Sequence, residues 1–207
     1  MGSMLDAIGG ANMLQGNATT FTFDRFGCSN EALSLNGGYT TVPSGIYFDT
    51  PQFTITVWLY PQQVEVNSML FDFGNGQYSD NIFIGLADNS GSPLPYFYVL
   101  FGANTVFQYQ SPLSLAIGVW QLLAITYDGA YSQMYINGTL MTNIEANYTM
   151  TSITRNICYI GKSNCDGFGY SYSFIDDLRF YNKCLTQSEI IQLMNKNMSG
   201  LNYYFIL

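Results

Sequence analysis

What most limits the fold of this 207-residue chain is a side-chain period of two that recurs in many short runs and never extends far. Apolar, aromatic and β-branched residues alternate with others in TTFTFD (19–24), ALSLNG (32–37), FTITVWLYP (53–61), SMLFDFG (68–74), NIFIGLA (81–87), PYFYVLFG (95–102) and NTVFQYQ (104–110). The second half continues with WQLLAITYDG (120–129), SQMYINGTLM (132–141), NICYIGKS (156–163) and FIDDLRFY (174–181). Successive side chains of a strand point to opposite faces, so each run presents an apolar face that must be buried against a second sheet. Gly, Asn, Asp and Pro clusters separate the runs, and Asn137-Gly138 between two of them asks for a tight type I′ hairpin. Many strands at this spacing imply an all-β, two-sheet antiparallel sandwich. One helix is expected over 186–194, where Thr186 and Glu189 form a capping box ahead of the apolar Ile190, Ile191, Leu193 and Met194. It would plug one end of the sandwich.

Composition narrows the functions. Only 10% of residues are charged, the formal net charge is −8, and the six Lys and Arg are scattered, so no basic patch exists to neutralise a phosphate backbone. Nucleic acid is excluded as a partner. Histidine is absent, which removes the usual general base, the Ser-His and Cys-His nucleophile pairs and the commonest zinc ligand. No run reaches the length of a membrane span and no signal-peptide core is present. Met1-Gly2-Ser3 reads as a cloning remnant before Met4, so the chain is expected to be part of a longer protein: one domain over 4–195, then a C-terminal extension or edge strand at 196–207. Sequons at Asn17, Asn137, Asn147 and Asn197 are compatible with secretion.

The order of four segments resembles the laminin-G-like, concanavalin A-like jelly-roll family. These are DRFGCSNEALSLNGGYTTVP (24–43), with Leu35 where the family has Phe; FTITVWLYP; WQLLAITYDG followed by MYINGTL; and IGKS leading to FIDDLRFYNKCLTQSEI. The resemblance implies a jelly-roll sandwich, an extracellular or cell-surface setting, and recognition of a glycan or protein ligand, often with calcium. A ligand-free spacer or oligomerisation module is the alternative, and a glycoside hydrolase a remote one. Exposed aromatics on loops stack on sugar rings, which singles out Tyr78, Tyr131 and Tyr170 in Gly- and Ser-rich turns. Trp58 falls on the face opposite Ile55 and Val57.

No catalytic residue is assigned. The jelly-roll glucanases the family includes carry Glu-x-Asp-x-x-Glu on one strand face, and Glu31, Glu65, Glu145 and Glu189 lie in no such motif. Asp176 and Asp177 are adjacent, so a regular strand points them to opposite faces. Parity with Leu178 and Phe180 directs Asp176 inward and Asp177 outward beside Arg179. An inward carboxylate needs a cation or several N–H donors. The resemblance implies calcium held by Asp176 and the N-terminal turn through Asp6 and Asn12; hydrogen bonds from that turn to Asp176 are the alternative. Finally, if Leu33 stands opposite Leu178, Cys28 falls next to Cys184, predicting a Cys28–Cys184 disulfide and a local Cys158–Cys165 bridge.

Overall fold

The computed structural model describes residues 12–195 and the short strand at 205–206. Its strands are β1 (Leu14–Thr22), β2 (Ala32–Val42), β3 (Gly45–Ile46), β4 (Phe53–Gln63), β5 (Met69–Gly74), β6 (Ile82–Gly85), β7 (Tyr96–Phe101) and β8 (Asn104–Gln110). They continue as β9 (Gln121–Tyr127), β10 (Tyr131–Ile136), β11 (Thr139–Glu145), β12 (Thr154–Arg155), β13 (Ile157–Ile160) and β14 (Ser171–Tyr181), followed by helix α1 (Gln187–Asn195) and β15 (Phe205–Ile206).

One antiparallel ladder runs β11-β10-β9-β4-β14-β2-β13-β5-β6-β7-β8. It folds over on itself at β2, whose first half pairs with β14 (Leu33 opposite Ile175) and whose second half pairs with β13 (Thr41 opposite Tyr159). The two halves thus become the layers of the expected jelly-roll sandwich. Between them lie Ile55, Val57 and Leu59 of β4 and Leu123 and Ile125 of β9, facing Phe71, Phe73, Ile84, Phe97 and Val99. Rings meet across the gap, Phe53 with Phe97 at 6.3 Å and Phe71 with Phe180 at 5.8 Å. Burial of such alternating rows is the main source of stability.

The outer face of one layer is closed by α1. Thr186 Oγ1 accepts from the Glu189 N–H, and the Thr186 N–H donates to Glu189 Oε2 at 2.8 Å, the reciprocal cap read from the sequence. Ile190 and Leu193 then pack on Leu122, Ala124 and Tyr135, with Trp58 at the margin. This explains why β9 is apolar on both faces. The Asn137-Gly138 hairpin also forms, both residues at positive φ, with Asn137 Oδ1 accepting from the Leu122 N–H at 2.9 Å. Among the described residues, no helix is long and apolar enough to cross a membrane.

Two expectations need correction. Parity along β14 breaks between Asp176 and Arg179, where the register against β4 shifts and Asp177 adopts φ +50°. This bulge lets both Ile175 and Leu178 enter the core, so Asp176 lies on the outer face opposite Trp58, not inward. The register of β2 against β14 also differs. Leu33 faces Ile175, three residues from the expected Leu178, so the juxtaposition that suggested Cys28–Cys184 is not formed. Cys28, Cys158, Cys165 and Cys184 are all free thiols, Cys158 inside the main core.

Candidate functional site

The other outer face, formed by β5 to β8, has no helix over it among the described residues. Cross-strand partners share a face, so Asp72, Phe83, Tyr98 and Gln108 form one outward row and Met69, Gly85, Tyr96 and Gln110 the next. The inward set of these strands belongs to the core, which leaves a second apolar cluster of Met69, Phe83, Tyr96 and Leu100 on the outside, with Tyr98 and Phe168 packed on it. An open groove of about 510 Å³ lies over this cluster.

Its floor is aromatic. Phe83 and Tyr98 stack with centroids 4.9 Å apart and planes at 11°, and Tyr96 meets Tyr98 edge-on at 5.5 Å. A Cβ on Gly85 would stand 1.9 Å from the Tyr96 ring, so the bare backbone at Gly85 is what seats that ring. The Tyr96 hydroxyl donates to the Met69 sulfur, and burial pushes both the Tyr96 and Tyr98 phenols up, keeping them neutral donors. Tyr78, 44% exposed and held at φ +52° in the β5–β6 turn, forms the upper lip.

The wall at Phe168 is set by Asp72. This carboxylate is fully buried in mid-sheet and accepts from Asn81 Nδ2 at 2.7 Å, Ser163 Oγ at 2.8 Å and the Asn164 N–H at 2.8 Å. Burial raises its pKa, with those donors opposing. The segment so anchored carries Phe168 against Phe83, edge-on at 6.3 Å, and is tied again where the Gly169 N–H donates to the Asn67 carbonyl. The rim is polar: Asn67, Asp88, Asn89, Thr105, Gln108 and Gln110. Asp88 organises its own turn, Oδ1 accepting from the Ser90 hydroxyl and the Ser90 and Ser92 N–H groups, while Oδ2 accepts from Gln110 Nε2. These bonds, the Ser90 hydroxyl foremost, hold its carboxyl below the usual range.

Of the residues singled out in the sequence, Tyr78 lines the groove. Tyr170 lies outside it, exposed and 6.2 Å from Tyr39, on a second aromatic patch where Lys162 Nζ sits over Tyr39 and Tyr159. Tyr131 opens β10 in the opposite layer, also outside the groove. Phe83, Tyr98 and Phe168 were missed, although PYFYVLF and NIFIGL carry apolar or aromatic side chains at both parities, a sign that the second face is not ordinary solvated surface.

Of the expected calcium ligands, Asp6 lies outside the described residues, and Asn12 is exposed. Asp176 is bound by the Arg25 guanidinium, whose other terminal nitrogen meets Asp177 Oδ2 at 2.8 Å; Arg179 contacts Asp177 Oδ1 at the same distance. Arg25 also lies 4.9 Å over the Trp58 ring. Burial pushes the Asp176 carboxyl up to about 6, against the Arg25 charge, which holds it down. No group of three or more acidic or thiol side chains suited to a metal occurs among the described residues. Among the described residues, the cation in contact with Asp176 is therefore a guanidinium.

Comparison with known proteins follows the same architecture. The laminin G family model described as the concanavalin A-like lectin/glucanases superfamily matches residues 34–191. No curated protein matches in sequence. Among solved structures, domain 4 of AbnA, a GH43 extracellular arabinanase from Geobacillus stearothermophilus, in complex with arabinotriose, superposes with TM-score 0.65 at 19% identity, covering 92% of each chain. The botulinum neurotoxin serotype G binding domain gives TM-score 0.69 at 17% identity over 90% of this chain and 46% of its own. A putative carbohydrate binding protein from Bacteroides ovatus gives 0.57 at 16%, over 81% and 49%. The chain thus spans about half the length of the latter two.

Proposed function

Because the chain belongs to the concanavalin A-like lectin/glucanases superfamily, we propose that it is a non-catalytic carbohydrate-recognition module whose binding surface is the groove over β5 to β8. The observation that carries this reading is an aromatic floor on the outer face of a sheet, bordered by amide and hydroxyl side chains. Sugars present C–H faces that stack on aromatic rings and hydroxyls that pair with amides, so one surface of this composition meets both needs. Rigid strands hold the floor, and the Asp72 network holds the wall.

Neighbours of the same fold support the reading: one is described in complex with arabinotriose, another as a putative carbohydrate binding protein, and botulinum neurotoxin type C as depending for cell entry on interaction with two ganglioside molecules. A binding role rather than hydrolysis is favoured by the acids. Asp88 is the carboxylate of the groove lining and its oxygens are committed to the turn, while hydrolysis needs two carboxyl groups about 5 to 9.5 Å apart across the scissile bond. The same reading takes the domain to be the extracellular or cell-surface part of a larger protein.

The test is a glycan array followed by calorimetry on the hits. Tyr78→Ala and Tyr98→Ala are each expected to weaken binding about three- to ten-fold, and Tyr131→Ala to leave it unchanged. Binding that survives both groove substitutions, or that is lost with Tyr131, would overturn the assignment. Sugar release from a bound glycan, abolished by one carboxylate substitution, would overturn the non-catalytic part.

A further inference from the structure

The geometry points to neutral oligosaccharides as the class of ligand this groove accepts, with sugars bearing carboxylate, sulfate or sialic acid groups excluded; the inference rests on the groove being the glycan site.

The argument is one of charge inventory. Every cation among the described residues is committed away from the groove. Arg25 and Arg179 are paired with Asp176 and Asp177. Lys183 Nζ meets Glu189 at 2.8 Å beside the helix cap. Arg155 is fully buried, donating to the carbonyls of Asp80 and Tyr47. Lys162 lies over the Tyr39 and Tyr159 rings. None of the five lines the groove.

What the groove offers instead is neutral. Asn67, Asn89, Thr105 and Gln108 reach its rim with their side-chain amides and hydroxyl outside any side-chain hydrogen bond among the described residues, and the Tyr98 hydroxyl is likewise available. Amides donate and accept side by side, which matches adjacent sugar hydroxyls, each of which does both. A ligand anion entering here would leave water without a counter-cation and would approach the Asp88 carboxylate, held ionised by its turn, in a chain of net charge −8. A like charge at about 6 Å in an interfacial dielectric costs roughly ten-fold in affinity, before desolvation is added.

The experiment uses the intact chain and a printed set in which each neutral oligosaccharide stands beside its uronate, sulfated and sialylated counterparts. The neutral member is expected to bind at least about ten-fold more tightly than each acidic one, with affinity unchanged between about 50 and about 500 mM NaCl. Asn89→Lys, which adds a cation at the exposed rim, is expected to bring acidic counterparts within about three-fold of the neutral parent and to introduce salt dependence. Acidic glycans that bind as well as their neutral parents, with the binding lost in Tyr98→Ala, would overturn this inference and leave the groove as a glycan site. Absence of any glycan binding, or binding indifferent to Tyr98→Ala, would overturn the groove assignment and the inference with it.

Discussion

Arg25 and Asp176 stand 151 residues apart in the chain and are joined side chain to side chain on the outer face of β14. The same guanidinium reaches Asp177, so one residue from the β1–β2 connection neutralises both acids at the strand bulge. The cation that two adjacent, largely buried carboxylates require is thereby supplied by the chain itself. The melting temperature is expected to be the same in calcium and in EDTA. Arg25→Met is expected to cost about 3 to 5 kcal/mol, because it strands a buried charge. Thermal melts of both proteins in the two buffers measure this; a calcium-dependent rise in the parent would bring Asp6 and Asn12 forward as ligands.

Stability should fall as pH rises through the weakly acidic range. Asp72 and Asp176 both hold protons more tightly in the native state than the ordinary carboxylate value of 3.8. Their contribution is complete below 3.8, where both states are protonated, and is lost as pH climbs through the native values, about 6 for Asp176. Glu189, lowered by its bond from Lys183, acts the other way and loses its contribution as pH drops below 4.5. Urea midpoints measured across this range are expected to decline from about pH 4.5 towards about pH 7, with a shallower decline in Asp176→Asn. An equal slope in that variant would remove Asp176 as the source.

Four free thiols of unequal access give a third test. Cys28 is exposed and is expected to react first with a thiol reagent. Cys158, in the core and with burial pushing its thiol up to about 12, is expected to react only on unfolding. Reductant should leave the melting temperature unchanged, and a drop on reduction would show that bridges form.

Gly85→Ala isolates the groove floor from the rest of the fold. The added methyl meets the Tyr96 ring, so the ring must leave its seat at a cost of about 1 to 3 kcal/mol. Glycan binding is expected to be lost while far-UV dichroism stays that of the parent. Retained affinity would show that Tyr96 is not needed to shape the site.

The layers, the hairpin at Asn137-Gly138 and the cap at Thr186 were legible because each rests on local patterning or on residues within a few positions of one another. The groove was only partly so. Tyr78 stood out as a loop aromatic, but Phe83 and Tyr98 meet through the pairing of β6 with β7, and their outward direction follows only once Ile82 and Val99 are known to face the core. Phe168 reaches them through the Asp72 network, whose partners lie 91 and 92 positions away. The Cys28–Cys184 expectation failed for a related reason: the bulge puts both Ile175 and Leu178 in the core, so Leu33 could be matched to either until the partner strand is fixed. Arg25 carried no signal at all, since nothing in DRFGC marks a guanidinium bound for a strand so far along the chain.

The bulge at Asp176 and Asp177 makes β14 two half-strands of opposite phase spliced by one residue. Deleting Asp177 would remove the splice itself. It would leave a regular ladder, Leu178 coming opposite Val57 and Arg179 opposite Thr56, so that Leu178 and Phe180 still face the interior while the Asp177 contacts with Arg25 and Arg179 are lost. A saturation scan of this strand should therefore show tolerance alternating in one phase up to Ile175 and in the other from Leu178 onward, with deletion of Asp177 tolerated better than a single-residue deletion within either half.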